Sequence, residues 1–104
     1  MWVSGICGGR YKKKCLFSSK FLEVCLLRCD VGENIGLHKD PATKGKQYKI
    51  QINLHSAKKG GQFVCDKYVL NLPLIKIYRA DEATHGVLRV EVGKRIDVII
   101  GISL

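Results

Sequence analysis

Residues 47–55 carry the clearest alternation in the chain. Tyr48, Ile50, Ile52 and Leu54 are interleaved with Gln47, Lys49, Gln51, Asn53 and His55. Successive side chains of a strand point to opposite faces, so this spacing predicts a strand with one dry and one wet face. Residues 21–29 are dense in Leu, Val, Phe and Cys and are followed by Gly32. A short run that is apolar on both faces predicts a buried strand, with a helix as the competing reading because Leu and Glu suit one. Gly32, Asn34 and Gly36 predict a turn over 30–36. Residues 62–65, 68–70 and 74–78 read as short strands, with Pro73 interrupting the last two. Residues 85–91 and 95–102 predict a hairpin around Gly93. Paired symmetrically about Val92, that hairpin would put His85, Val87 and Arg89 on one face with Arg95, Asp97 and Ile99, and would set Arg95 opposite Arg89. The same parity would send Leu88, Val90, Ile96, Val98, Ile100 and Ile102 to the other face, outwards. About eight short strands and no comparable helix signal predict an all-β domain, a sandwich or jelly roll.

The 104 residues make one domain. Residues 1–20 are the least patterned: Gly5, Gly8 and Gly9 precede a basic run over 10–14 that Tyr11 interrupts. They are expected to form an arm or an extra strand beside a core over 21–104. No strand-to-helix signature surrounds Gly8-Gly9, so the pair is not a phosphate loop. Eighteen Lys and Arg against nine Asp and Glu leave a formal charge of +9. Such a surface attracts nucleic acid or acidic protein, though the basic residues are scattered and also serve solubility. The five cysteines form no Cys-x-x-Cys pair, which excludes a zinc ribbon and a thioredoxin-type couple. Cys25 and Cys29 share strand parity and are expected as buried filler. Free thiols suit a reducing cytoplasm. No apolar run approaches the roughly 18 residues of a membrane-spanning helix, and no signal-peptide core opens the chain.

The candidate chemistry sits at His38 and Asp40. Two residues apart on extended backbone, they point the same way, and Pro41 biases Asp40 towards that conformation. A third ligand from elsewhere would complete one face of a metal, and His85 is the natural choice. Two histidines and a carboxylate with open positions opposite is the donor set of non-haem Fe(II) oxygenases. His55 fits a strand end better than a ligand.

Together these pieces resemble the double-stranded β-helix core of the Fe(II)- and 2-oxoglutarate-dependent oxygenases, in the prolyl-4-hydroxylase-like branch. The resemblance runs from residue 21 to residue 104. It rests on Leu26-Leu27-Arg28 followed by a glycine turn and His38-x-Asp40, and on residues 50–54 followed by Gly60-Gly61. His85-Gly86-Val87 and Gly93-Lys94-Arg95 complete it. It implies Fe(II) held by His38, Asp40 and His85, with Arg95, ten residues past His85, anchoring the far carboxylate of 2-oxoglutarate. A guanidinium suits that role because it binds carboxylate bidentately. The implied reaction consumes O2 and 2-oxoglutarate, releases succinate and CO2, and hydroxylates a substrate that the motifs do not identify. The sequence departs from the family where Asn53-Leu54-His55 precedes the double glycine. It also lacks the glycine expected after Pro73 and the helices that usually cover the larger sheet. The outward apolar residues are therefore expected to bury themselves in a homodimer, or under the N-terminal arm as an extra strand. Two other readings are a basic jelly-roll binding module without catalysis and a cupin-like metal protein that does not use 2-oxoglutarate. The nucleic-acid dealkylating branch fits poorly, because Ile96 and Asp97 follow Arg95 and no second arginine comes after it.

Overall fold

The computed structural model describes residues 3–4, 9–40 and 45–104. Cys7, Gly5, Gly8 and the restraint expected from Pro41 lie outside them. The described elements are all strands: β1 (Val3–Ser4), β2 (Gly9–Arg10), β3 (Lys12–Ser18), β4 (Leu22–Cys29), β5 (Asn34–His38), β6 (Gln47–His55) and β7 (Lys59–Gly60). There follow β8 (Phe63–Cys65), β9 (Leu70–Asn71), β10 (Ile75–Arg79), β11 (His85–Val87), β12 (Val90–Val92) and β13 (Arg95–Ser103). The larger sheet runs β1-β3-β4-β13-β6-β10-β9, and a smaller one runs β2-β5-β11-β8. The two face each other as a jelly roll, with β12 and β7 pairing separately at one end.

Residues 22–29 are a strand rather than a helix. The segment lies between β3 and β13, where its apolar residues on both faces find neighbours. Cys25 and Cys29 are buried between the sheets, as their spacing predicts. Tyr11, Cys29, Ile35, Val87 and Val90 pack into one cluster, with Leu27, Ala57 and Phe63 against it.

The hairpin expected around Gly93 does not form. β11 pairs with β5 and β8, whereas β13 pairs with β4 and β6, so these successive segments belong to different sheets. Arg95 consequently lies opposite Cys29, not Arg89. The break at residues 88–89 also resets the alternation. Val90, expected outside, is fully buried, and its N–H donates to the Glu33 carbonyl. Leu88 does face solvent. Ile96, Val98, Ile100 and Ile102 lie on the outer face of the larger sheet, half-covered by their neighbours.

β6 obeys its alternation with an outcome the wet-and-dry reading does not anticipate. Its apolar residues face out, in register with Ile75, Ile77, Ile100 and Ile102. Its polar face turns inward: Gln51 is buried, and Gln47 and Lys49 line the interior cleft. The wet face is wet because the barrel is open there.

Candidate metal centre

His38 ends β5 and His85 begins β11, and the two are direct cross-strand partners. Their rings lie 4.4 Å apart. Gly86 makes this approach possible, because a Cβ there would sit 2.6 Å from the Ile35 carbonyl oxygen and 3.0 Å from that of Gly36. Asp40 is pinned by its backbone N–H, which donates to the Ala80 carbonyl at 2.8 Å. One ligand atom from each of His38, Asp40 and His85 falls within 4.8 Å of the others. His38 Nε2 is 3.1 Å from Asp40 Oδ1, and His85 Nε2 is 3.7 Å from Oδ2.

The hydrogen bonds on the far sides of the rings decide what these atoms present. His38 Nδ1 meets the Gly36 carbonyl at 2.6 Å, and His85 Nδ1 meets that of Ala83 at 2.8 Å. A carbonyl only accepts, so each Nδ1 must carry the hydrogen, and each Nε2 of a neutral ring is a bare lone pair. Both lone pairs face a carboxylate, which also has only lone pairs to offer. Neutral rings thus turn three acceptors on one point, which a metal cation or a proton on one Nε2 would bridge. Backbone carbonyls that orient the imidazoles in this way are the usual outer partners of metal-bound histidine.

Asp40 Oδ2 is buried and accepts no hydrogen bond of suitable direction. The Lys49 ammonium lies against it as an ion pair but off hydrogen-bonding alignment. Burial would push the Asp40 carboxyl up. The His85 ring when it carries a proton on Nε2, and the Lys49 ammonium, outweigh it and hold the group well below the usual carboxylate range. Two nitrogens and one oxygen suit a divalent first-row ion such as Fe(II). The residues therefore fit a mononuclear metal.

The centre opens into a cleft of about 510 Å³ between the sheets. Phe63 and Tyr78 wall it beside His85, with ring centroids 6.5 and 4.8 Å from the imidazole. Burial raises the Tyr78 phenol well above its ordinary value, so it stays neutral. Its hydroxyl donates to Gln51 Oε1 at 3.0 Å, and Gln51 Nε2 donates to Asp97 at 2.9 Å.

Arg95 stands at the end of this chain of contacts. Its Nε donates to Asp97 Oδ2 at 2.7 Å and its Nη1 to the Gly61 carbonyl at 3.0 Å. Asn53 Nδ2 also donates to Asp97, at 2.8 Å. Arg95 is thus held in place, and its charge is shared with a buried carboxylate. His55 is exposed at the end of β6, its Nδ1 3.0 Å from the Lys94 carbonyl, and stands outside the cluster. Sequence reasoning passed over Lys49, Gln51 and Asp97. The alternation of β6 could have found the first two, since one parity of a barrel strand must face inward.

No family model and no curated protein matches the sequence. Solved structures do match. A predicted oxalate decarboxylase from Thermotoga maritima aligns over 100% of this chain and 91% of its own, with a TM-score of 0.67 and 16% identity. KdgF from Halomonas sp. aligns over 100% and 86%, with a TM-score of 0.67 and 11% identity. The viral collagen prolyl hydroxylase of Paramecium bursaria Chlorella virus-1, solved with 2-oxoglutarate, aligns over 92% and 62%, with a TM-score of 0.54 and 16% identity. Most such neighbours are cupins, and at these identities they speak to architecture alone. The chain has the jelly-roll fold shared by the cupins, with a His-Asp-His cluster at the mouth of its cleft.

Proposed function

We propose that the protein is an Fe(II)- and 2-oxoglutarate-dependent dioxygenase. The observation that carries this reading is the convergence of two bare Nε2 lone pairs and a buried carboxylate at one point. His38, Asp40 and His85 would hold the iron, and Arg95 would meet the far carboxylate of 2-oxoglutarate while still bonded to Asp97. With its co-substrate and O2, the iron supplies oxidising power for hydroxylation, and succinate and CO2 are released. The chain's own contribution is geometric: the Gly36 and Ala83 carbonyls orient the imidazoles, and Phe63 and Tyr78 shield His85 from water. The formal charge of +9 favours a nucleic acid or an acidic protein as substrate. The prolyl hydroxylase among the structural neighbours shows that this architecture can carry such an activity.

Anaerobic addition of Fe(II) and then 2-oxoglutarate tests it. The weak visible charge-transfer band of the chelate should appear, and His38→Ala should abolish it. A second reading has its own observation. Because Asp97 already shares the Arg95 charge, the protein can instead be a cupin metalloenzyme that does not use 2-oxoglutarate. Metal binding without the band would select that reading. No metal binding at all would select a binding module.

We also propose a two-fold homodimer formed by the outer face of the larger sheet. Phe17, Val24, Ile100, Ile50, Ile77 and Leu70 form one unbroken apolar row across six strands. Leu26, Val98, Ile52 and Ile75 form the next. Strands about 4.8 Å apart, with rows about 6.8 Å apart, give these ten residues roughly 330 Å² of face. A standard interface buries about 800 Å² per partner, so a second copy would cover the residues flanking the rows as well. Arg28 and Arg79, flanking these rows, are neutralised by Asp30 and by Asp81 and Glu82, which leaves Lys14, opposite Leu26 at the end of the second row, as the positive charge at the rim.

A further inference from the structure

The cleft has a charge balance that a metal would upset. Among the described residues lining it, the charged groups are Lys13, Lys49, Glu23 and Asp40. Lys13 pairs with Glu23 at 3.3 Å, and both are substantially exposed. Lys49 pairs with Asp40 and is largely covered. Burial pushes the Cys25 thiol up to about 12 and raises the Tyr78 phenol, so both are neutral. With the two histidines as neutral ligands, the charged side chains at the inner end of the cleft are the single pair Lys49 and Asp40. A divalent ion on Asp40 leaves that end with an excess of two positive charges. The Lys49 ammonium then faces a cation across the carboxylate it was neutralising. Arg95 is not in this position, because Asp97 stays with it.

We propose that Lys49 binds the carboxylate of a small acid seated at the metal, and that metal and acid bind together for this reason. The inference rests on the metal reading above and adds the residue and the ligand charge. The ligand class is a short carboxylic acid, best a dianion such as a 2-oxo acid or a dicarboxylate. Such an acid cancels the excess charge and accepts from the ammonium. Lys49 is well placed to hold it. The residue is mid-strand on β6, opposite Gly101 on β13 and Tyr78 on β10, so its backbone is held on both sides. In the 2-oxoglutarate reading, Lys49 takes the end at the iron and Arg95 the far end.

Oxalate and Mn(II) separate the two roles, because two-carbon oxalate lacks the distal carboxylate that 2-oxoglutarate would offer to Arg95. Mn(II) binding is followed by electron paramagnetic resonance, and oxalate binding to the Mn(II)-loaded protein by calorimetry. Wild type should bind Mn(II) about tenfold or more tightly when oxalate is present. Lys49→Met should weaken oxalate by about ten- to hundredfold, the effect of losing a charged hydrogen bond, while Mn(II) alone binds as well or better. Lys49→Arg should restore most of the oxalate affinity. Arg95→Lys, which keeps a donor beside Asp97, should weaken 2-oxoglutarate more than oxalate. Lys49→Met that binds oxalate normally, or that loses Mn(II) and oxalate equally, overturns the assignment and leaves the metal centre standing. If wild type binds no Mn(II), the metal reading falls and this inference falls with it. Should Lys49→Met not fold, the wild-type linkage decides: Mn(II) and oxalate that bind independently refute the proposal.

Discussion

Replacing Arg95 with methionine should unfold the protein at a much lower temperature, and the reason lies in Asp97. That carboxylate is 2% exposed and accepts from Arg95 Nε, Gln51 Nε2 and Asn53 Nδ2 at 2.7, 2.9 and 2.8 Å. Arg95→Met fills most of the volume but leaves a buried negative charge held by two neutral amides. Breaking one side of a buried ion pair costs about 3–5 kcal/mol. A chain of this length has a total stability of about 5–15 kcal/mol. Its unfolding entropy, at about 2.1 cal/mol/K per residue, is roughly 0.22 kcal/mol/K. The loss therefore converts to a fall in Tm of about 14–23 °C. Differential scanning calorimetry at neutral pH measures it, with urea unfolding as a second probe. The double variant Arg95→Met/Asp97→Leu should recover only part of the loss, since it removes the buried charge but leaves Gln51 Nε2 and Asn53 Nδ2 without their acceptor. A fall of less than about 5 °C for the single variant would show that the Arg95–Asp97 contact is solvated and that this end of the barrel is open to water.

Gly86→Ala would press a methyl against the Ile35 and Gly36 carbonyls, so β5 must shift and take His38 with it. We expect a loss of about 1–3 kcal/mol in thermal melts and at least a tenfold loss in metal affinity by titration. Burial pushes the Cys29 thiol up to about 12. A free thiol titrates near 8.5, so the unfolded chain loses its proton first as pH rises. The contribution of Cys29 is thus fully present below about pH 8.5 and is lost between there and about pH 12, with a slope of about 1.4 kcal/mol per pH unit. Urea midpoints in reductant from pH 8 to 10.5 should fall less steeply for Cys29→Ala than for wild type. Asp30 moves the other way. The hydrogen bond from Lys12 and that from Arg28 hold its carboxyl below the ordinary range, so its contribution is present at neutral pH and lost as the solution is acidified below about pH 4. Asp30→Asn should flatten the acid limb of the stability profile. Sedimentation at micromolar concentration should give a dimer, and Ile50→Lys should convert it to a monomer; a wild-type monomer would refute the interface on the outer sheet.

Strand content was legible in the sequence because the signals are local. The alternation in 47–55, the apolar run in 21–29 and the breaks at Gly32, Pro73 and Gly93 each record what one backbone segment does with its own side chains. His38 and Asp40 belong to this local class too, since two residues on one extended segment share a side whatever surrounds them. The partners of each strand were not local. Residues 85–92 and 95–102 looked like a hairpin because a glycine separates two apolar runs. In the jelly roll, β11 and β13 enter different sheets, and only long-range pairing with β5, β8, β4 and β6 settles that. The same choice buried Val90 and placed Arg95 beside Cys29. It also turned the polar face of β6 inward. Alternation says that two faces differ; which one faces the interior depends on where the barrel opens. Lys49 thereby met Asp40, nine residues away on a different segment, whereas Arg95 and Asp97, two apart on one strand, share a face locally. Local pattern was enough to say which residues could act as ligands and which segments were extended. Long-range packing set His85 against His38, brought Lys49 into their cleft and buried the Arg95–Asp97 pair beside Gln51 and Asn53, because charges and lone pairs acquire their meaning only from the neighbours that two packed sheets bring together.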